Sequence, residues 1–239
     1  MKCTCCRMLY AFARRRPRGA KHWICAVGCL QEQPGFLSAR AAGRIKGRPP
    51  PDKAGFFMSG KGGAVMHRVE RIIKHPVYRE GLIRNADREK ERIFCRHDFQ
   101  HMLDVARITY ILLMEAGEMD RLMRAHALDG SEAVREAVYA AGLLHDISRW
   151  RQYDTGVDHA AAGARDARPI LLETGFKAGE TDVIARAIAA HRHGGPEGGL
   201  LGRLLARADD LARPCASCPA RRECYKAEDM PAVRQALVY

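Results

Sequence analysis

Helical periodicity dominates the chain from residue 67 onward and limits the fold classes that it can adopt. Val105, Ile108 and Leu112, for example, follow one another at the three- and four-residue spacing of one helix face. No segment shows sustained alternation of β-branched and polar residues, so strands are not expected. The predicted helices cover residues 67–74, 77–94, 97–116, 118–127, 132–147, 159–174, 180–191 and 200–211. Ser131 is the expected N-cap of the fifth. The sequence therefore predicts an all-α domain with short connections.

Residues 1–65 differ from the remainder in charge and in composition. They hold 13 Lys and Arg against two acidic residues, Glu32 and Asp52, and so carry +11 of the net charge of +12. Residues 49–51 (Pro-Pro-Pro) and 60–63 (Gly-Lys-Gly-Gly) interrupt any periodic pattern. Two interpretations stay open for this segment: a basic, disordered extension, or an over-extended reading frame whose true start is Met66. The predicted division is therefore an extension, 1–65, and a helical domain, 66–239.

Charge and hydropathy exclude several classes of partner for the helical domain. Residues 66–239 are nearly neutral, so a basic groove for nucleic acid is not expected there, and an RNA-associated function would depend wholly on residues 1–65. The longest strongly apolar run, residues 108–114, is far shorter than the roughly 20 residues that span a membrane. The nine cysteines are odd in number, and residues 1–18 lack the apolar core of a secretory leader. A reducing, cytoplasmic location is therefore expected.

Histidines and aspartates that suit a divalent metal ion recur along the helical domain. His145 and Asp146 are adjacent at the end of an apolar helix, and both can reach one ion that lies beyond the helix end. Imidazole nitrogen and carboxylate oxygen together form a ligand set for zinc, manganese, iron and similar ions. Other candidates, each on a different predicted helix, are His101, His159, His191 and Asp209.

This ordered set resembles the HD-domain superfamily of metal-dependent phosphohydrolases, whose signature is His … His-Asp … Asp on a helical bundle. His101 precedes Val105-Ala106, as the first family histidine precedes Val-Ala, and Asp209 has the family's Ala-Asp-x-Leu context. The resemblance covers roughly residues 90–212. His159 and His191 resemble the additional histidines of the two-metal branch, which includes bacterial hydrolases of symmetrical dinucleoside tetraphosphates. The chain also resembles uncharacterised bacterial HD proteins with a cysteine-bearing C-terminus.

The resemblance implies a helical-bundle fold and a role for each of these side chains. His101, His145, Asp146 and Asp209 would hold one divalent ion (Fe, Mn, Zn, Co or Ni). Asp146 would bridge to a second ion that His159 and His191 complete. Such ions lower the pKa of coordinated water to about 7 in favourable cases and stabilise the charge of a transferring phosphoryl group.

Several neighbouring residues compete for these roles. His193 is the alternative to His191, and His97 is the alternative to His101 on the same helix face. Asp98 and Asp104 are expected on the helix surface or beside an imidazole that they orient. Arg149 occupies a position where family members often carry lysine, after Ser148 in place of glycine. Its guanidinium is expected either to hold a substrate phosphate as a catalytic group beside Asp146 or to form a surface salt bridge.

Cysteines of the helical domain form a second possible site. Cys215 and Cys218 have the Cys-x2-Cys spacing of a chelate, Cys224 follows, and Cys95 lies close in sequence to His101. Four thiolates bind a structural zinc ion or an iron–sulfur cluster. The alternative is that these thiols are unligated or redox-active.

The function that the sequence predicts is metal-dependent hydrolysis of a phosphoester or phosphoanhydride. The expected substrate is a small phosphorylated molecule, in the first place a nucleotide. The alternative is a catalytically silent HD module that binds a nucleotide and regulates a partner.

Overall fold

The computed structural model describes residues 65–234 of the chain, and these residues form helices and turns without strands. The all-α prediction is therefore confirmed. Both interpretations of the N-terminal segment concern residues outside the described range, apart from Val65. The helices are α1 His67–Lys74, α2 Pro76–Glu89, α3 Phe99–Glu115, α4 Met119–Ala125, α5 Gly130–Leu144, α6 Arg149–Thr155, α7 His159–Glu173, α8 Ala178–Ala190, α9 Gly199–Leu211 and α10 Pro231–Arg234.

Helix α5 lies at the centre of the bundle. It contacts α1, α3, α4, α7, α8 and α9, and most of its apolar residues, among them Val134, Val138 and Leu143, are fully buried. Helices α3 and α5 approach each other closely at Gly142, where a β-carbon would lie 2.4 Å from the Ala106 Cα atom. This close approach brings the beginning of α3 near the end of α5.

Helix α1 is fixed to the bundle by an enclosed ion-pair cluster. Arg68 pairs with the carboxylates of Glu136 on α5 and Glu180 on α8, and its guanidinium lies 4.2 Å from the centre of the Phe176 ring. Burial on its own would lower the pKa of Arg68, but the two carboxylates outweigh it and raise the pKa. The arginine remains charged and links three helices.

Several local predictions differ from the structure. Helix α2 ends at Glu89 and not at residue 94, because the Glu89 carboxylate binds the backbone N–H and Nδ1 of His97 and so turns the chain. Helix α5 begins at Gly130, and neither Ser131 nor Asp129 caps it with a side chain. Helix α6 was not predicted, since it is seven residues long and buries none of them, which leaves no apolar periodicity to read.

None of the helices between residues 65 and 234 combines the length and the hydropathy that crossing a bilayer requires.

Candidate metal centre

The ends of five helices bring the predicted ligands together. His145 and Asp146 follow the last residue of α5, His191 follows the last residue of α8, and His159 is the first residue of α7. His101 lies in the first turn of α3, and Asp209 lies in the last turn of α9. The helices thus contribute their termini to a common site, although its outermost residues, His101 and Asp209, are more than a hundred positions apart in sequence.

N-caps fix the start of two of these helices and therefore the position of two histidines. Asp98 accepts a hydrogen bond from the backbone N–H of His101 (2.9 Å) at the start of α3. Asp158 accepts bonds from the N–H groups of Ala160 (2.7 Å) and Ala161 (3.2 Å), so that α7 begins at His159. Asp98 is therefore a helix cap and not a partner of an imidazole ring.

Ligand atoms of the site lie at distances typical of a metal centre. The His101 Nε2 atom is 3.1 Å from Asp209 Oδ1, and the His145 Nε2 atom is 3.9 Å from the same oxygen. Two groups have ligand atoms that all lie within 4.8 Å of one another: His101 with His145 and Asp209, and His145 with Asp146 and His191. Because the two groups share His145, they form one continuous site.

Asp146 presents a different oxygen to each side of the site. Its Oδ2 atom is 3.5 Å from the Nε2 atoms of His145 and His97, whereas its Oδ1 atom is 3.0 Å from His159 Nε2 and 3.6 Å from His191 Nε2. These imidazole groups therefore surround one carboxylate, and each of its oxygens faces a separate pair of rings.

Hydrogen bonds on the far side of three rings determine which nitrogen faces the site. Nδ1 of His145 donates to the Gly142 carbonyl (2.7 Å), and Nδ1 of His191 donates to the Ile188 carbonyl (2.7 Å). Nδ1 of His159 lies 2.5 Å from the Gln152 side-chain oxygen. An oxygen of this kind accepts but cannot donate, so the proton of each neutral ring is on Nδ1 and the Nε2 lone pair faces the site. This is the arrangement of histidines that bind metal through Nε2. The lone pair of His159 Nε2 accepts a hydrogen bond from Arg149 (2.8 Å).

Buried polar atoms without hydrogen-bond partners provide the strongest test of the ligand set. Both carboxylate oxygens of Asp146, with Nε2 of His101 and Nε2 of His145, are buried and form no hydrogen bond. The 3.0 Å approach of His159 Nε2 to Asp146 therefore lacks hydrogen-bonding geometry. A buried, ionised carboxylate without a partner is costly, and a divalent cation at this position would satisfy all four atoms. These residues fit a metal ion.

The protonation states of His145, His159 and Asp146 agree with that fit. For His191, burial would lower the pKa, but the neighbouring Asp146 outweighs it and raises the pKa. Burial lowers the pKa of His145 to about 3, despite the opposing effect of Asp146 and Asp209, so the ring is neutral at pH 7. Burial also lowers the pKa of His159. For Asp146, burial opposes ionisation, but the surrounding imidazoles outweigh it and hold the pKa well below its ordinary value. Neutral imidazole and ionised carboxylate are the forms that bind metals.

A cavity of about 530 Å³ opens beside these ligands and is lined by basic side chains. The Arg149 guanidinium is 2.8 Å from Nε2 of His159 and 4.0 Å from Oδ1 of Asp146, so it faces the site and not a surface carboxylate. The other basic side chains of the wall are Arg92, Arg192, Arg207, Arg213 and Lys226.

Comparison with known proteins identifies the family. The profile of the HD domain matches residues 98–213, from the N-cap of α3 to the residue that pairs with Asp209. An uncharacterised protein of Clostridium beijerinckii is 31% identical over 159 residues, which are 66% of this chain and 92% of that protein. The chain belongs to the HD domain family.

Other HD relatives are much longer proteins. Ribonuclease Y of Oleidesulfovibrio alaskensis is 34% identical over 123 residues, which are 51% of this chain but 19% of that protein. The bifunctional uridylyltransferase/uridylyl-removing enzyme of Nitrobacter winogradskyi is 40% identical over 57 residues, 24% of this chain and 6% of that protein. The chain thus spans about a fifth of the first and much less of the second. No solved structure matches the chain.

The residues that match the HD pattern in the sequence are the ones that lie close together in the structure. His101, the His145-Asp146 pair and Asp209 meet in one site, and His159 and His191 meet on its other side. His193 is exposed on the turn after α8, whereas His191 is buried against Asp146. Asp104 lies on the surface of α3 and binds Gln100 and Arg107.

Sequence reasoning missed part of the surroundings of the HD site. His97 was expected on the face of α3, yet it precedes that helix and is only 2% exposed between Glu89 and Asp146. Glu89 also accepts a hydrogen bond from the Tyr153 hydroxyl (2.7 Å). Arg213 pairs with Asp209 and approaches His97 Nε2 to 3.4 Å. The i, i+4 spacing of Asp209 and Arg213 could have predicted that ion pair, because residues four apart are neighbours on a helix. No local pattern in the sequence indicates that Glu89 contacts the site.

Proposed function

We propose that this protein is a metal-dependent phosphohydrolase that hydrolyses a phosphoester or phosphoanhydride of a nucleotide. One observation carries the proposal: buried Nε2 and carboxylate atoms without hydrogen-bond partners adjoin a cavity lined by basic side chains. The unpartnered atoms fit a divalent cation, and the basic wall fits a phosphate group.

Each ligand has a defined place in this proposal. His101, His145, Asp146 and Asp209 would hold the first divalent ion, with Fe, Mn, Zn, Co and Ni as the candidates. Asp146, His159 and His191 would hold the second. The two-sided environment of the Asp146 carboxylate supports its role as the residue common to both ions.

The cation supplies Lewis acidity, which lowers the pKa of water and offsets charge on the phosphoryl group. The chain supplies orientation. Nδ1 hydrogen bonds hold the rings of His145 and His191 against backbone carbonyls, so that their Nε2 lone pairs are fixed before an ion binds. Arg149 extends from the start of α6 into the cavity, where its planar guanidinium can donate two hydrogen bonds to a phosphate.

Aromatic and basic groups of the cavity favour a nucleotide among phosphorylated substrates. Phe94 and Tyr225 form an edge-to-face pair at the wall, and the Tyr225 side chain is 77% exposed, so a base can stack on its ring. The names of two relatives denote cleavage of RNA and removal of a uridylyl group, both reactions at a nucleotide phosphate. The near-neutral helical domain favours a small nucleotide over a long nucleic acid, and the protein would act in the cytoplasm.

A phosphate-release screen tests this function. The full chain, stripped of metal with a chelator and then reloaded with each divalent ion in turn, is incubated with nucleoside phosphates, dinucleoside polyphosphates and a short RNA. We expect phosphate or nucleotide release from the small substrates only after reloading. Tight metal binding without hydrolysis of any substrate would identify a silent module, and cleavage of RNA alone would contradict the substrate class.

Replacement of Arg149 with alanine is expected to reduce kcat/KM by about 10- to 150-fold, since a hydrogen bond to a charged group contributes roughly 1.5–3 kcal/mol. Metal content should not change, because the guanidinium is not a ligand. Arg151→Ala is the matched control: this arginine lies two residues away and binds Asp166 (2.8 Å). An equal loss in both variants, or none in Arg149→Ala, would remove the proposed phosphate contact.

A further inference from the structure

The cysteines of the described chain converge on one cavity that the metal centre does not use. Cys95, Cys215, Cys218 and Cys224 line a pocket of about 210 Å³, and each is half-buried and free of disulfide bonds. Cys95 lies in the loop between α2 and α3, about 120 residues from the other three. The fold therefore adds a fourth thiol to a local group of three.

Tight turns present the three local thiols. Cys215 begins a short 3₁₀ turn, Cys215–Ser217, and the N–H of Cys218 donates to its carbonyl (3.3 Å). A second 3₁₀ turn, Arg221–Glu223, precedes Cys224, whose N–H donates to the Arg221 carbonyl (3.4 Å). Such turns hold the sulfurs of a Cys-x2-Cys-x5-Cys segment on one side of the chain.

The segment from residue 212 to residue 230 has little else to hold it. Of its residues, only Ala220 and Met230 are buried apolar side chains. A stretch without an apolar core commonly depends on a disulfide or a metal. The four thiols therefore lie where a bound metal could link the C-terminal segment to the loop before α3.

Spacing distinguishes between a single ion and a cluster. Around one tetrahedral zinc ion, with Zn–S bonds of about 2.3 Å, the sulfurs lie roughly 3.8 Å apart. Among the described residues, groups with ligand atoms all within 4.8 Å of one another consist of His and Asp, and no three of these cysteines form such a group. In a cubane cluster each cysteine binds a different iron, so the sulfurs stand farther apart around an enclosed volume.

We propose that Cys95, Cys215, Cys218 and Cys224 bind a [4Fe–4S] cluster that joins the C-terminal segment to the loop before α3. The cavity that the cluster would fill shares Phe94, Cys95, Cys215 and Cys224 with the wall of the larger, basic cavity. The cluster is therefore structural and holds one wall of the substrate cavity in place. This proposal does not depend on phosphohydrolase activity.

Acid-labile sulfide is the decisive measurement, because the His and Asp centre can bind iron but not inorganic sulfide. The full chain is purified without oxygen, reconstituted with ferrous iron and sulfide, and desalted. We expect about four sulfide ions per chain, with the visible absorption of an iron–sulfur cluster. Cys95→Ala and Cys218→Ala should each lose most of the sulfide, whereas Cys25→Ser, outside the cysteine group, should retain it.

Asp146→Ala separates the two metal centres: it should retain the sulfide while losing the ion of the His and Asp site. Stoichiometric zinc without sulfide would overturn the assignment of a cluster. A wild-type chain without sulfide after reconstitution, or full sulfide in Cys95→Ala, would overturn it as well. Circular dichroism of each variant establishes that lost sulfide does not result from unfolding.

Discussion

Asp146→Ala is expected to abolish metal binding at the second position. It should also reduce hydrolysis by more than the roughly 10- to 100-fold that is lost when a residue that only supports a metal ligand is removed. Oδ1 and Oδ2 of Asp146 face separate pairs of histidines, so one substitution removes a ligand atom from each side of the site. Metal content after gel filtration and initial rates of phosphate release measure the two effects. Undiminished activity would remove the proposed mechanism.

Stability of the metal-free protein should change much less in the same variant. In the metal-free protein the Asp146 carboxylate is 1% exposed and forms no hydrogen bond, which costs free energy, whereas the surrounding imidazoles hold its pKa low and offset that cost. We expect metal-free Asp146→Ala to be about as stable to urea as metal-free wild type. Wild type should gain about 2.7 kcal/mol when metal is present at 100 times its Kd, and the variant should gain less.

Asp104→Ala is the matched control for this prediction. Asp104 is another aspartate of the HD region, but it lies on the surface of α3 and binds Gln100. Its removal should leave metal content and phosphate release unchanged. A clear stability loss in metal-free Asp146→Ala would show that the carboxylate has a structural role instead.

Gly142→Ala is expected to cost about 3 kcal/mol or more of unfolding free energy, the upper part of the range for overpacking a core. The added β-carbon would lie 2.4 Å from Cα and 2.6 Å from the backbone nitrogen of Ala106, and backbone cannot rotate out of the way. Helices α3 and α5 must therefore separate. Urea denaturation followed by circular dichroism measures the loss.

The same change should also weaken metal binding, since α3 carries His101 and His145 directly follows α5. The two rings lie with their centres 5.5 Å apart, and the Gly142 carbonyl itself accepts the hydrogen bond of His145 Nδ1. Gly179→Ala is the control, because a β-carbon there meets nothing within 4 Å and alanine favours a helix by up to about 1 kcal/mol. A loss below about 0.5 kcal/mol in Gly142→Ala would contradict the close packing.

Local sequence pattern accounts for the helices that bury an apolar face. Helix α1 has the predicted bounds, 67–74, and α3, α7, α8 and α9 begin or end within a few residues of theirs. Each follows from periodicity and from capping residues such as Asp158, which act over a few positions. The seven-residue α6 buries no side chain and gave no such pattern.

The HD residues illustrate how far sequence alone reaches into the site. The ordered set of His101, His145-Asp146 and Asp209 was predictable because residue type and context recur as a motif, and the structure brings these residues together. The burial of His97 was not predictable. It depends on Glu89, which ends α2 and binds the His97 ring, a pairing that no periodic pattern encodes.

The sequence by itself determined the all-α class, because helix faces are a local property, and its resemblance to the HD signature indicated the residues that meet in the HD site. Only the tertiary structure decided which nitrogen of His145 faces Asp146 and that Cys95 joins cysteines about 120 residues away. Those features depend on the packing of α3, α5 and α9. Contacts between distant segments are chosen by the fit of whole helices and not by the spacing of neighbouring residues.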